Sequence, residues 1–252
     1  MPDLPKVLVF DIETMANLAY VWGKYEQNVI SFEKEWYMLT FAYKWLGEKK
    51  SYVKALPDYK GYKNDKTNDK RLCKELWELF DEADVLISHN GDAFDIKKAQ
   101  ARFAFHGFSP PKPFKSIDTL KVARRYFKFT SNKLDDLGHT LGLGGKIETG
   151  GWELWKGCAV DDDPKAWKKM KLYNKRDITL LEDVYMELRP WMNNHPNYNI
   201  YMDTQYNCPV CNSDNLHKRG FAPTRASKQQ RYVCLDCGTW SQAPVSGRGV
   251  VR

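Results

Sequence analysis

Read for hydrophobic and polar positions, the chain opens on an apolar, β-branched run, Lys6–Asp11, that ends in an acid. A compact run of this kind predicts a buried strand with Asp11 at its C-terminal end. Trp36–Trp45 alternates and is rich in aromatics, and Ser51–Leu56 is a shorter run, so the chain is expected to begin with three strands. Lys70–Phe80 then changes period, placing Leu72, Leu76, Leu79 and Phe80 at helical spacing. Val85–Ser88 predicts another buried strand, leading into His89-Asn90-Gly91, and Asp95–Phe105 the helix after it.

Pro110, Pro111 and Pro113 interrupt regular structure before an extended stretch at Ser116–Leu120, which runs into a helix over Thr119–Tyr126. Lys133–Leu141 predicts a short helix ended by Gly142. The glycine-rich stretch from Gly142 to Gly157 reads as a loop, its Trp152 and Trp155 either facing a substrate or pinned into the core. Asp163 and Pro164 form an N-cap and first turn, and Pro190 ends the helical region containing Tyr173–Leu188. The expected organisation is an α/β domain over residues 1–192, a linker over 193–206, a small cysteine module over 207–241 and a flexible tail over 242–252.

Composition narrows the class. The 252 residues suit one main domain with a small appendage, and 42% hydrophobic content is that of a globular protein. No apolar run approaches the roughly 20 residues needed to span a bilayer, so no membrane association is expected. Met1–Lys6 lacks the basic and apolar pattern of a secretory signal, and a cytoplasmic location, in a bacterium or a phage-infected host cell, is the expectation. The net charge is +7, and residues 203–252 carry seven Lys or Arg against three Asp. A basic balance favours polyanionic partners, because cationic contacts to phosphate release counterions.

Four acids each stand at the edge of a predicted element: Asp11 and Glu13 in Phe-Asp-Ile-Glu-Thr, Asp95 in His-Asn-Gly-Asp-Ala-Phe-Asp, and Asp177 in Tyr-Asn-Lys-Arg-Asp. Alternate strand residues share a face, so Asp11 and Glu13 project together and can share one ion. Clustered hard carboxylates suit Mg²⁺ or Mn²⁺, and two such ions about 4 Å apart suit in-line displacement at phosphorus. Tyr173 lies one helical turn before Asp177, where its hydroxyl is able to orient a water. Each residue also has a plain structural reading, as an N-cap or a packing pair; the joint order and placement favour a site.

These motifs resemble the DEDD exonuclease superfamily on a ribonuclease H-like fold, in its tyrosine subclass, and most of all the exonuclease domains of family B DNA polymerases. The resemblance covers residues 6 to about 190: Phe10–Thr14 matches the first motif, His89–Asp95 the second and Tyr173–Asp177 the third. Ile117–Leu120 and Lys133–Leu137 resemble segments between motifs. It implies a mixed sheet flanked by helices and a two-metal site. Asp11, Glu13 and Asp177 would bind one ion, Asp11 would bridge to a second, and Asp95 would hold that second ion through water. Tyr173 would position the nucleophilic water, with Thr14, His89, Asn90 and Phe94 near the substrate. His89 departs from the pattern, standing where many polymerase domains have Tyr.

The last four of six cysteines form Cys208-x2-Cys211 and Cys234-x2-Cys237, a pairing that wants one tetrahedral Zn²⁺. The module resembles zinc ribbons, including the second knuckle of ribbons in some transposases. Arg219, Arg225, Lys228 and Arg231, with Phe221 and Tyr232, suit a phosphate backbone and a stacked base; a replication or repair protein is the other expected partner. The leading expectation is a 3′-5′ exonuclease preferring DNA to RNA. A ribonuclease D-like exoribonuclease and a non-catalytic nucleic-acid-binding module are the alternatives.

Overall fold

In a computed structural model that describes residues 4–25, 28–203, 206–225, 227–245 and 251, the N-terminal run becomes β1 (Val7–Thr14), which continues past Asp11 as far as Thr14. Neighbours hold it on both sides. It pairs antiparallel with β4 (Met38–Trp45), setting Asp11 opposite Ala42, and parallel with β6 (Val85–Ser88), setting Val9 opposite Ile87. With β5 (Tyr52–Ala55) and β7 (Lys115–Asp118) at the edges, the order is β5-β4-β1-β6-β7, three antiparallel strands followed by a parallel pair.

Alternation along β1 divides the core. Leu8, Phe10 and Ile12 enter one cluster with Leu72, Leu76 and Phe80 of α1 (Lys70–Glu82) and Ala99 and Phe103 of α2 (Asp95–Phe105). Val7 and Val9 enter the other, with Val122 of α3 (Thr119–Tyr126), Leu134 and Leu137 of α4 (Leu134–Thr140), and Ile178, Leu181 and Val184 of α6 (Pro164–Leu188). Helix α6 serves both clusters, since Trp167 and Met170 in its first half join the α1 and α2 side. Its middle therefore lies where β1 ends, and that crossing is what builds the site.

Three expectations are corrected. The stretch 142–157 is not all loop: α5 (Trp152–Ala159) forms because Leu154 and Cys158, four apart, bury against the core and α6. Trp155 is half-buried against Tyr173, whereas Trp152 is exposed. The segment 193–206 is not a bare connection, since α7 (Tyr198–Met202) buries Tyr198 in the α6 cluster and its Tyr198 N–H donates to the Pro209 carbonyl. The cysteine module forms a three-stranded antiparallel sheet, β8 (Leu216–Pro223), β9 (Lys228–Cys234) and β10 (Trp240–Pro244), in the order β10-β9-β8. Strand β10 carries regular structure past the expected boundary at 241, because its backbone pairs with β9 as far as Gln229; residues 246–250 and 252 of the expected tail lie outside the described residues. A hairpin unforeseen in the sequence, β2 (Leu18–Tyr20) and β3 (Ser31–Lys34), leaves the end of β1 and returns to β4. Among the described residues no helix is long and apolar enough to cross a membrane.

Candidate active site

Asp11 and Glu13 alternate with the buried Phe10 and Ile12, so they emerge on the side of β1 that faces α6. From α6 comes Asp177, and one oxygen of each of these three carboxylates lies within 4.8 Å of the others. Asn174, three residues before Asp177 on the same helix, donates from Nδ2 to Asp11 Oδ2 at 2.7 Å. Its own Oδ1 accepts from Thr40 Oγ1 on β4 at 2.9 Å, so the sheet orients the amide and the amide orients Asp11. Asp95, the first residue of α2, accepts the Ile12 N–H through Oδ1 at 3.2 Å, which holds it beside the strand but outside the close triad. The turn before it is tight: a Cβ on Gly91 would lie 1.9 Å from Ser88 Oγ.

Like charges crowd this space. Burial, then Asp95, Glu13 and Asp177, push the Asp11 carboxyl well above its usual range. Burial, followed by Asp177, takes Glu13 up to about 8, and burial takes Asp95 up to about 6 against the opposing Ile12 hydrogen bond. Asp177 is raised by burial even though Lys146 opposes it. The Lys146 ammonium donates to Asp177 Oδ2 at 2.5 Å and to the Tyr173 hydroxyl at 3.3 Å. Burial lowers its proton affinity, but Asp177, Asp11 and Glu13 outweigh that and raise it. The other Asp177 oxygen, Oδ1, is buried with no hydrogen-bond partner. One lysine against four acids leaves negative charge uncompensated, and an orphaned carboxylate oxygen beside two others is a donor set that fits a hard divalent cation.

Tyr173 is held protonated, its phenol raised by burial first and then by Asp177, Glu13 and Asp11. His89 does not reach toward the triad. Its ring nitrogens meet Thr119 Oγ1 at 2.8 Å and the Asn132 carbonyl at 3.0 Å, and burial lowers its pKa to about 4, so it is a neutral clamp on the 130–132 loop. Asn90 adopts a left-handed φ of 66°, and its N–H donates to Asp118 Oδ1. Phe94 is exposed at the head of α2, and Thr14 accepts from Lys98 Nζ at 3.4 Å. A cleft of about 660 Å³ lined by His89, Asn90, Arg124 and Lys133 ends at Lys146.

Apart from this centre, Cys208, Cys211, Cys234 and Cys237 converge. The Cys208–Cys237 and Cys211–Cys234 sulfurs are each 3.6 Å apart, far from disulfide length. Four sulfurs about 2.3 Å from a tetrahedral zinc would stand about 3.8 Å from one another, so the set fits that ion. Arg219, Arg225, Lys228 and Arg231 are exposed on the strands and turn of this sheet, and the Lys228 ammonium lies 5.1 Å from the Phe221 ring.

Two site residues escaped the sequence reading. Lys146 sits in a glycine-rich stretch without periodicity, and nothing local marks it. Asn174 was within reach, because it lies three residues before Asp177 and so on the same face of the helix.

A family model for the RNase H superfamily matches residues 33–189, more than half of the chain. Over 148 residues the chain is 27% identical to a PolC-type DNA polymerase III from Ureaplasma parvum, a match that takes in 57% of this chain and 10% of that protein. A solved family B DNA polymerase from the hyperthermophilic archaeon Pyrobaculum calidifontis is similar with a TM-score of 0.48 and 15% identity, over 76% of this chain and 26% of that one. The chain thus spans about a tenth of the length of the first and about a quarter of the second.

Proposed function

The chain belongs to the RNase H superfamily, and from that premise we propose that it is a metal-dependent 3′-5′ exonuclease of the tyrosine-bearing DEDD kind, acting on DNA. The observation that carries this reading is the meeting of Asp11, Glu13 and Asp177 within 4.8 Å, with Tyr173 one turn along the helix that brings Asp177. The similarity to a protein described as a DNA polymerase favours DNA over RNA. Asp11, Glu13 and Asp177 would hold one Mg²⁺ or Mn²⁺ and Asp95 would serve a second; bound there, the ions supply a polarised water and neutralise charge at phosphorus. Tyr173, kept protonated, orients the water through its hydroxyl. Asn174 keeps the Asp11 carboxylate turned toward the triad. Lys146, already in reach of both Asp177 and Tyr173, is placed to exchange its carboxylate for a phosphate oxygen. Thr14, Asn90 and Phe94 border the terminal nucleotide, whereas His89 acts by fixing the cleft wall.

Residues 1–192 would form the nuclease domain and 207–244 a zinc ribbon. Its four cysteines would hold one Zn²⁺, and its exposed Arg219, Arg225, Lys228 and Arg231 would contact nucleic acid or dock a replication or repair protein. The test is incubation of the purified chain with 5′-labelled single-stranded DNA and RNA, with and without Mg²⁺ or Mn²⁺. A ladder shortening from the 3′ end, stronger on DNA, is expected. Asp11→Ala should abolish it, and Tyr173→Phe should slow it about a hundredfold. No cleavage with either ion would overturn the reading, and preferential RNA cleavage would reassign the substrate.

A further inference from the structure

The hairpin between β1 and β4 is built in a way its own stability does not account for. Of its described residues only Ala19 is not exposed, and neither strand has a buried side chain. An isolated two-stranded hairpin is marginal in water. Yet it displays Tyr20, Trp22, Tyr25 and Phe32 to solvent, with Trp22 at 85% and Tyr25 at 87% exposure, alongside Leu18, Val29 and Ile30. A concentration of rings this large on a small element marks a surface that something else covers.

Its position indicates what. The hairpin departs directly from Thr14, the residue after Glu13, and its root is tied back by the Trp36 N–H to Asn17 Oδ1 and the Met15 N–H to the Tyr37 carbonyl. At that root the Lys98 ammonium lies 3.9 Å from the Trp36 ring and 5.1 Å from Phe94, and also reaches Thr14. Lys98 stands one turn after Asp95 on α2 and makes no ion pair among the described residues. Two rings and a cation without an ion pair, Trp36, Phe94 and Lys98, therefore stand between the acidic centre and the hairpin. Single-stranded nucleic acid is the polymer recognised in this way, by bases stacking on aromatic faces and by cations following the backbone. The adjoining groove of about 520 Å³ carries Lys34 and Lys70 but also Glu35 and Asp65, so stacking rather than net charge has to supply the grip.

We propose that this hairpin, with Trp36 and Lys98 at its base, is a stacking platform for the unpaired nucleotides that lie upstream of those held at the scissile bond. The inference rests on the nuclease reading above. It is tested by fluorescence anisotropy with labelled oligodeoxythymidines of three and twelve nucleotides, with no divalent ion added, alongside cleavage of both in Mg²⁺. The full chain is compared with its Trp22→Ala/Tyr25→Ala and Trp22→Phe/Tyr25→Phe forms. The alanine pair should bind the twelve-mer about tenfold or more weaker, with its salt dependence unchanged, and should cleave the three-mer at the wild-type rate. The phenylalanine pair should restore most of the loss; both residues are exposed, so thermal melts should superimpose. Equal twelve-mer affinity in all three forms would overturn the platform while leaving the nuclease standing. So would unchanged affinity together with altered sedimentation, which would assign the hairpin to a protein contact. Failure of the wild-type chain to bind or cleave any oligonucleotide would bring down both readings together.

Discussion

At the scale of single residues, two buried carboxylates in this fold go opposite ways. Burial pushes Asp69 up, yet it ends below its usual range, because Arg102 clamps it through two nitrogens while His106 and the Met38 N–H also hold its oxygens. Cys73 lies near enough to complete a metal-like trio with Asp69 and His106, but the guanidinium already balances that charge. For Glu13, burial and then Asp177 outweigh the opposing Lys146 charge and Trp155 hydrogen bond, and it rises to about 8. A carboxyl raised in the folded state favours the protonated form, so without an ion its contribution is full below the unfolded pKa of about 4.5 and is lost as pH rises through about 8. A divalent ion requires the ionised form. Stabilisation by Mn²⁺ is therefore expected to grow between pH 6 and pH 8.5, reaching about 5–10 °C in Tm at saturating ion. Thermal melts with Asp11→Ala as control check this; a gain independent of pH would contradict it.

At the scale of elements, the site depends on how closely α4 approaches α6. Gly138 makes that approach possible: a Cβ there would lie 2.3 Å from the Gly144 carbonyl oxygen and 2.7 Å from a Leu180 methyl. The first obstacle is backbone, so Gly138→Ala has to move the segment that runs on to Lys146. A loss of about 1–3 kcal/mol is expected, with a lower Tm in calorimetry and slower cleavage, since Lys146 shifts against Asp177. The same scale explains what the pattern hid. Helix α5 carries its buried Leu154 and Cys158 in a stretch flanked by glycines, so propensity argued against it while packing on α6 made it. The β2–β3 hairpin shows no alternation because it has no buried side.

At the scale of the whole molecule, a small cysteine sheet is fastened to a large α/β body. Among the described residues its own core is the four cysteines with Val210 and Leu216, too little to hold three strands. One Zn²⁺ per chain is expected by elemental analysis. Cys211→Ser, or a strong zinc chelator, should abolish hydrogen-exchange protection in β9 while leaving the β1–β6 pairing protected, because the two clusters around the main sheet include none of Cys208, Cys211, Cys234 and Cys237. Loss of protection in both would mean that α7, which buries Tyr198 in the body, couples the two into one cooperative unit.

The elements that build the main sheet and flank it were readable from period alone, since β1, β4, β6, α1, α2 and α6 bury enough apolar surface to impose one. The three acids of the triad and Tyr173 were readable because strand alternation and helical spacing are local rules that put them on shared faces. The cysteine spacing was equally local. What only the tertiary structure decided is which distant groups complete those faces. Lys146 enters beside Asp177 from a loop 31 residues away, Asn174 gains its role only when Thr40 orients it, and His89 is held by Thr119 and Asn132. The physical reason is one of range: periodicity reports which side of an element avoids water, but a hydrogen bond or ion pair between elements exists only once the chain has folded them together.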